Sequence, residues 1–306
     1  MTSYAIGIDL GGTKIAAGLV ELPAGRILAK ELIPTAPERG GAAVLNDTLA
    51  LARRLQSQAA SMAAPLCGIG VGICELVDLE GGIRSDSLIK WQGLGAQQAL
   101  EAIAPARFES DARAPALAEA RFGAGKGYRH FIHLTIGTGI SYCLVIDGRP
   151  YAGAHGNAII AGSGLLTTSC ESCEASLDLP LEDFAAGPAL AARYNRQGSA
   201  VLGSGVEVMA AAASGDELAR SIVVSAGAAV GNTAGFLINA LDPEALVVAG
   251  GLGLAGGLYW ESFLASTRRR IWAEQYRSLP IVTAQLGLDA GVVGAALCAP
   301  GVELAR

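Results

Sequence analysis

Asp9, Gly11, Gly12, Thr13 and Lys14 stand together in the stretch DLGGTK, between the apolar runs YAIGI and IAAGLVE. Glycines permit positive φ and let backbone N–H groups approach an anion, while a Thr hydroxyl and a Lys ammonium add a donor and a charge. A carboxylate at a strand end, as Asp9 would be, can orient water on a Mg²⁺ ion. The stretch matches neither GxxxxGK[ST] nor GxGxxG, so neither of those phosphate-binding loops accounts for it. Alone it reads equally as a phosphate grip and as a Gly-Gly hairpin. LTIGTGIS repeats the theme with Gly137, Thr138 and Gly139, and two such turns make a two-sided phosphate clamp. In VVAGGLG, Gly250 and Gly251 close an apolar run, where a flat group such as a purine can lie against backbone. Asp111 joins ARFES to ARAPALAEARF. There it can take a proton from a hydroxyl, or cap the helix that follows.

The elements that must hold these residues follow from periodicity. Residues 4–10 and 14–21 read as strands and 26–33 as a weaker third; GGAAVLNDTLALARRLQSQAASMAA has helical spacing; LCGIGVGICEL is a buried strand. WQGLGAQQALEAIA reads as a short helix, and ARFESDARAPALAEARFGAG as a strand running into a helix. The pattern restarts with HFIHLTIGTGISYCLVIDGRPYAG, two strands around a glycine turn followed by a hairpin. Residues 155–220 read as irregular, then helical; ALVVAGGL is a strand, a helix follows from about Gly256, and SLPIVTAQLG and AGVVGAALCAP close with a strand and a small-residue helix. The repeated strand-turn-strand opening implies two related α/β lobes with a ligand in the cleft between them. The expected division is 1–118 and 119–306, the last helix packing back on the N-terminal lobe.

Composition narrows the function classes. The 306 residues are 51% hydrophobic and 16% charged, which suits a compact α/β protein. A formal net charge of −6 disfavours a nucleic-acid partner. MTSYAIGIDL has no basic leader or cleavage site, so a cytoplasmic protein is expected. Ser221–Leu241 is uncharged and repeats Gly227, Gly231 and Gly235, but Asn232, Thr233 and Asn239 interrupt it; a buried helix is expected, with no membrane partner. Cys67, Cys74, Cys143 and Cys298 read as buried thiols, and only Cys170 and Cys173 are spaced as ligands could be.

Taken in order, these motifs resemble the ROK family of sugar kinases and repressors, within the actin/hexokinase/Hsp70-like superfamily. IGIDLGGTKIAAGLVE resembles its first phosphate motif, ESDARAPALAEARFGAG its catalytic stretch, and LTIGTGISYCLVIDGRPYAGAHG its second phosphate motif. INALDPEALVVAGGL and AQLGLDAGVVGAA resemble its nucleotide and closing segments. The resemblance implies two RNase-H-like, actin-like ATPase lobes flanking a nucleotide and sugar cleft. It further implies phosphoryl transfer from ATP with Mg²⁺, Asp111 as general base, and a homodimer. Asp9, Gly11, Gly12, Thr13, Lys14, Gly137, Thr138, Gly139, Gly250 and Gly251 would then serve the nucleotide. No helix-turn-helix precedes the first strand, so a kinase is expected rather than a repressor. A non-catalytic nucleotide- or sugar-sensing protein descended from such a kinase is the alternative.

The sugar side departs from the family pattern. Its usual PG reads Cys74-Glu75, its NLGW reads Leu88-Ile89-Lys90-Trp91, and its END asparagine is Ser110. The glutamate and histidine of its GEIGH align with Ile160 and Ser163, while Glu182 aligns with its remaining sugar-binding glutamate. Candidate acceptor contacts are therefore Glu75, Ser110, Asp111, His155, Ser163 and Glu182. Two of these stay open: Glu75 either reaches the pocket or turns to solvent, and His155 either replaces the missing histidine or sits on an exposed loop. Losing two hydroxyl partners predicts an acceptor other than plain glucose. The family's zinc positions fall on Ser163, Cys173, Ala175 and Pro180, leaving one thiolate in register, so structural zinc is not expected and no metal ligand is assigned.

Overall fold

The computed structural model describes residues 2–62, 64–169, 176–198 and 201–303. The elements in chain order are β1 (Ser3–Leu10), β2 (Lys14–Leu22), β3 (Arg26–Pro34), α1 (Gly41–Ala60), β4 (Leu66–Ile73), α2 (Ala96–Glu101), β5 (Ala106–Ser110) and α3 (Arg113–Phe122). They continue with β6 (His130–Ile136), β7 (Ile140–Ile146), β8 (Arg149–Pro150), β9 (Leu165–Ser169), β10 (Ser176–Pro180), α4 (Leu181–Ala185), α5 (Gly187–Asn195), α6 (Gly205–Ala213) and α7 (Glu217–Leu241). The last are β11 (Ala245–Ala249), α8 (Gly257–Arg270), β12 (Ile281–Thr283) and α9 (Ala290–Leu297). They form two compact units, one of residues 1–127, 148–159 and 285–306, the other of 128–147 and 160–284. Residue 118, the boundary expected from sequence, lies inside α3.

In the first unit the sheet order is β3–β2–β1–β4–β5. β1, β4 and β5 are parallel, and β2 and β3 are antiparallel additions at one edge. β1 and β4 are covered on both faces, so their sequences read as near-continuous apolar runs. Ile6, Ile8, Leu10, Ile69 and Val71 pack with Val44, Leu45 and Leu55 of α1. On the other face Ala5 and Val20 meet Leu117 of α3 and Val292 and Ala296 of α9. There β4 carries glycine at every second position, Gly68, Gly70 and Gly72, so that strand presents no side chains on this face. A Cβ on Gly7 would lie 1.9 Å from the Val292 carbonyl oxygen, and one on Gly70 would lie 1.7 Å from that of Ala295. α9 itself lies on α3 through Gly294, whose Cβ would come 1.8 Å from the Ala114 oxygen. Backbone therefore packs on backbone through three layers.

The second unit centres on the strand order β12–β11–β6–β7. Ile132, Leu134, Ile136, Leu246 and Val248 form one core with residues of α4 to α8. α7 is long and apolar enough to cross a membrane, yet most of it is buried inside this unit. Gly227, Gly231 and Gly235 let α8 approach it; a Cβ on Gly227 would lie 2.5 Å from the Tyr259 oxygen. The stretch read as irregular contains the antiparallel β9–β10 hairpin; its Ser and Thr content resembles loop composition. Cys170 and Cys173, singled out in the sequence, lie outside the described residues.

One core residue sets a pH limit. His133 on β6 is 1% exposed, its Nε2 has no hydrogen-bond partner, and burial pushes its imidazole down from 6.5 to about 4. The unfolded chain takes up this proton first, so the stability His133 supports is complete above pH 6.5 and is lost as pH falls through about 4. The loss is on the order of 3 kcal/mol. In urea unfolding at pH 7.5 and pH 5, a His133→Leu variant is expected to lose less stability between the two pH values than the wild type. An equal loss would show that His133 does not set this slope.

Candidate functional site

β1, β4 and β5 are in parallel register, Asp9 beside Gly72 and Gly72 beside Glu109. Their C-terminal ends carry Asp9, Cys74, Glu75, Ser110 and Asp111. Ligands of open parallel sheets bind at such ends. Asp111 follows β5, its N–H donating to the Ile73 carbonyl at 3.2 Å. Ala112 N–H donates to Ser110 Oγ at 3.1 Å, fixing the residue that precedes α3. The Ser110 residue is buried, and this bond uses its hydroxyl as an acceptor only. Arg113 pins the same junction by bonding Glu109 at 2.6 Å, the Val77 carbonyl at 2.9 Å and the Gly156 carbonyl.

The two aspartates share an environment hostile to charge. Burial pushes Asp111 up to about 7; the carboxylates of Asp9 and Glu75 add to this, while the Ala112 and Asp111 N–H groups oppose it. Burial pushes Asp9 up to about 6 against the pull of Lys14 and Lys30. Cys74, between them in the electrostatic sense, is held as a thiol by burial and by Asp111, Glu75 and Asp9. Asp9 also sits at the start of α9, where a Cβ on Gly291 would lie 2.4 Å from its Cγ.

The DLGGTK turn joins β1 to β2, and three hydrogen bonds fix it. Gly11 N–H donates to the Lys14 carbonyl at 3.1 Å, Thr35 N–H to the Thr13 carbonyl at 3.0 Å, and buried Thr35 Oγ1 to the Gly11 carbonyl at 2.6 Å. Among the described residues no backbone hydrogen bond uses the N–H groups of Gly12 or Thr13, and Thr13 is exposed. The turn thus spends the Gly11 N–H on its own shape and not the next two, a pattern of donors that can accommodate an anion. Thr35 went unnoticed in the sequence because only the β2–β3 register brings it to the turn.

Glu75 differs from both readings open to it in the sequence. It is 5% exposed, and its Oε1 accepts from Leu88 N at 2.7 Å and Ile89 N at 2.8 Å; its Oε2 accepts from Ser87 N at 3.0 Å and from Ser85 Oγ. Burial alone would raise its pKa, but these four bonds hold it below the usual carboxylate range. Four donors fill a carboxylate, leaving none of it for an acceptor or for solvent. His155 lines a cavity of about 450 Å³ with Asp78, Glu80 and Arg84, and Asp111 is not among the lining residues.

In the second unit the TIGTG turn closes through Gly137 N–H to the Gly139 carbonyl at 2.9 Å. Thr138 and Gly139 are exposed, and among the described residues no backbone hydrogen bond uses their N–H groups. Gly250, at φ 85°, stacks on this turn: its Cβ would lie 2.3 Å from the Ile136 oxygen, and a Cβ on Gly137 would lie 3.7 Å from Gly251 N. The TIGTG turn and Gly250 and Gly251 are thus one backbone surface. Glu182 joins it from the first turn of α4, with Oε2 accepting from Ile140 N at 3.4 Å and standing 3.3 Å from where a Gly139 Cβ would be. Glu182 N–H holds the Gly162 carbonyl at 2.9 Å. Next to Gly162, Ser163 is exposed, and Ile160 is exposed while bridging to Ser141.

Comparison with known proteins follows this geometry. The model of the ROK family matches residues 5–302. A glucokinase of Streptomyces coelicolor is 31% identical over 316 aligned positions, covering 95% of this chain and 96% of that protein. Among solved structures, a ROK hexokinase from Thermus thermophilus superposes with a TM-score of 0.80 at 33% identity, covering 98% of both chains. A ROK family glucokinase from Streptomyces griseus, in complex with glucose and AMPPNP, gives 0.80 at 29% identity over 97% of this chain and 99% of that one. The α/β fold read from the sequence, of the actin-like ATPase type, agrees with these neighbours.

Proposed function

The chain belongs to the ROK family, and on that premise we propose that it transfers a phosphoryl group from ATP to a hydroxyl of a sugar or sugar derivative, with Asp111 as the general base. The observation carrying this reading is the Asp111 carboxyl, raised to about 7 at the C-terminal ends of the parallel strands. A base of ordinary carboxylate strength takes a hydroxyl proton poorly at neutral pH; one matched to the working pH takes it far better. Beyond that proton, phosphoryl transfer needs positioning and charge neutralisation. Gly11 shapes the first turn, and the N–H groups of Gly12 and Thr13, with Lys14, would hold phosphate oxygens. In the second unit Gly137, Thr138 and Gly139 would do the same, with Gly250 and Gly251 bordering the nucleotide.

Two half-buried carboxyls, each pushed up by desolvation and with Asp9 adding to the rise at Asp111, suit a divalent cation. Asp9 would hold Mg²⁺ through water, and the ion when bound would neutralise phosphate charge. Glu182 supplies the acceptor contact retained from the family pattern, and exposed Ile160 offers hydrocarbon where relatives offer a hydrogen bond. We therefore assign an acceptor other than plain glucose, and by the family reading a cytoplasmic homodimer.

A panel of sugars assayed for ADP release with ATP and Mg²⁺ tests the reading. The expected result is turnover on a sugar other than glucose at higher kcat/KM than glucose. Log kcat/KM should fall with unit slope below a pH of about 7, because the protonated base is inactive there. Binding without turnover on every sugar would favour the sensor. An acid limb near the ordinary carboxylate value of about 4 would remove Asp111 as a base of raised pKa.

A further inference from the structure

Glu75 stands where the family pattern has glycine, and its carboxylate serves the loop that follows β4. The four donors it accepts come from residues 85, 87, 88 and 89, a stretch otherwise short of regular hydrogen bonding. The far end of that loop is docked separately, with Trp91 Nε1 donating to the Gly41 carbonyl at 3.0 Å and its ring edge-on to Phe108. Leu88 emerges between these two anchors. Its Cδ2 lies 2.5 Å from where a Gly12 Cβ would be, so the side chain rests on the phosphate turn at the residue whose N–H is unspent.

We propose that Glu75 is a positioning residue for the phosphate turn: it fixes the 85–89 loop so that Leu88 braces Gly12. The proposal rests on the nucleotide role given to that turn above. The chain of contacts is direct. An ionised carboxylate collects three backbone N–H groups and a hydroxyl, the loop takes one shape, and Leu88 limits the conformations open to a glycine that would otherwise sample many. The lost family glycine and the lost NLGW amide then read as one change, since a carboxylate within the fold replaces the loop's former partners. A glutamine in its place keeps the volume but turns an NH₂ group toward two donors, whichever way the amide lies.

The test compares Glu75→Gln and Leu88→Ala with the wild type by amide hydrogen exchange and by calorimetric titration with MgATP. For Glu75→Gln, exchange at Ser87, Leu88 and Ile89 should rise by about tenfold or more, as expected for lost charge-assisted bonds. Exchange at Gly11 and Thr35, whose N–H groups close the turn, should rise with it, and MgATP affinity should fall by about tenfold. Leu88→Ala should reproduce the changes at Gly11, Thr35 and MgATP while leaving Ser87 and Ile89 protected. A Glu75→Gln protein that unfolds at lower urea but keeps wild-type exchange at Gly11 and Thr35 would make Glu75 structural only and overturn the proposal. So would a Glu75→Gln protein that binds MgATP as tightly as a wild type that binds it. A wild type that binds no MgATP would defeat the kinase reading instead, and exchange at Gly11 and Thr35 would still decide whether Glu75 positions the turn.

Discussion

Asp111→Asn is expected to fold, to bind MgATP, and to lose about 10²- to 10⁴-fold in turnover, the range a positioned general base supplies. The same variant is expected to be more stable than the wild type at pH 8. The folded protein holds the Asp111 proton up to about pH 7, whereas the unfolded chain releases it near 3.8. A raised acid pKa therefore contributes stability below pH 3.8 that disappears as pH climbs through about 7, and at pH 8 the wild type bears the full cost of the buried charge. Asparagine never ionises, so the variant escapes a cost of a few kcal/mol, about 2 to 4. Urea unfolding in EDTA at pH 8 and pH 4 reads it: the gap should be wide at pH 8 and closed near pH 4. Turnover and stability moving in opposite directions are the mark of a site selected for chemistry against folding. Near-wild-type turnover would remove Asp111 from the base role, and a variant less stable at pH 8 would contradict the buried charge.

Gly70→Ala is expected to be among the most destabilising single substitutions in the first unit, by about 3 kcal/mol or more. The added methyl would meet the Ala295 carbonyl oxygen at 1.7 Å, and backbone cannot move aside as a side chain can. α9 would have to lift from β4. That lift reaches the site by two routes, because α9 bears on Asp9 through Gly291 and on α3 through Gly294 and Ala114. Activity is therefore expected to fall by more than the folded fraction accounts for. Gly72→Ala is the control on the same face, since its Cβ would meet Ala114 Cβ at 3.6 Å, an ordinary contact. A Gly72→Ala protein losing as much stability as Gly70→Ala would refute backbone contact as the cause. The readouts are the urea midpoint and kcat per folded molecule.

The two glycine turns were legible as turns because each is short, local and flanked by apolar runs that form strands. Asp111 was legible as a strand-to-helix junction residue, though not the local bonding there: Ser110 Oγ takes the Ala112 N–H just before α3, which no side chain caps. The glycine-lined face was written in CGIGVGIC, whose alternation is that of a strand, but what covers it lies more than two hundred residues downstream. Long-range partners explain the other misses. Thr35 finds the Gly11 carbonyl only through the β2–β3 register, and buried Glu119 finds the N–H groups of Gln285 and Leu286, at 3.2 and 2.8 Å, across most of the chain. Glu75 was seen as a departure and misjudged in direction, because a sequence shows a carboxylate without showing the four donors that fill it.

The order of synthesis gives the closing helix another meaning. When residue 127 leaves the ribosome, the first unit has all five strands of its sheet and still lacks α9, which comes only with residues 290–297. Throughout the translation of the whole second unit, the glycine-floored trough over β1 and β4 stands open, with Ala5, Val20 and Leu117 uncovered at its sides. Neither Asp9 nor the Asp111 junction has its final support until then. A nascent chain in that condition is a candidate for chaperone capture and for pairing with the wrong helix. Ribosome-stalled chains should acquire protease resistance in the first unit late and abruptly, after the α9 codons have been read and the helix has cleared the exit tunnel.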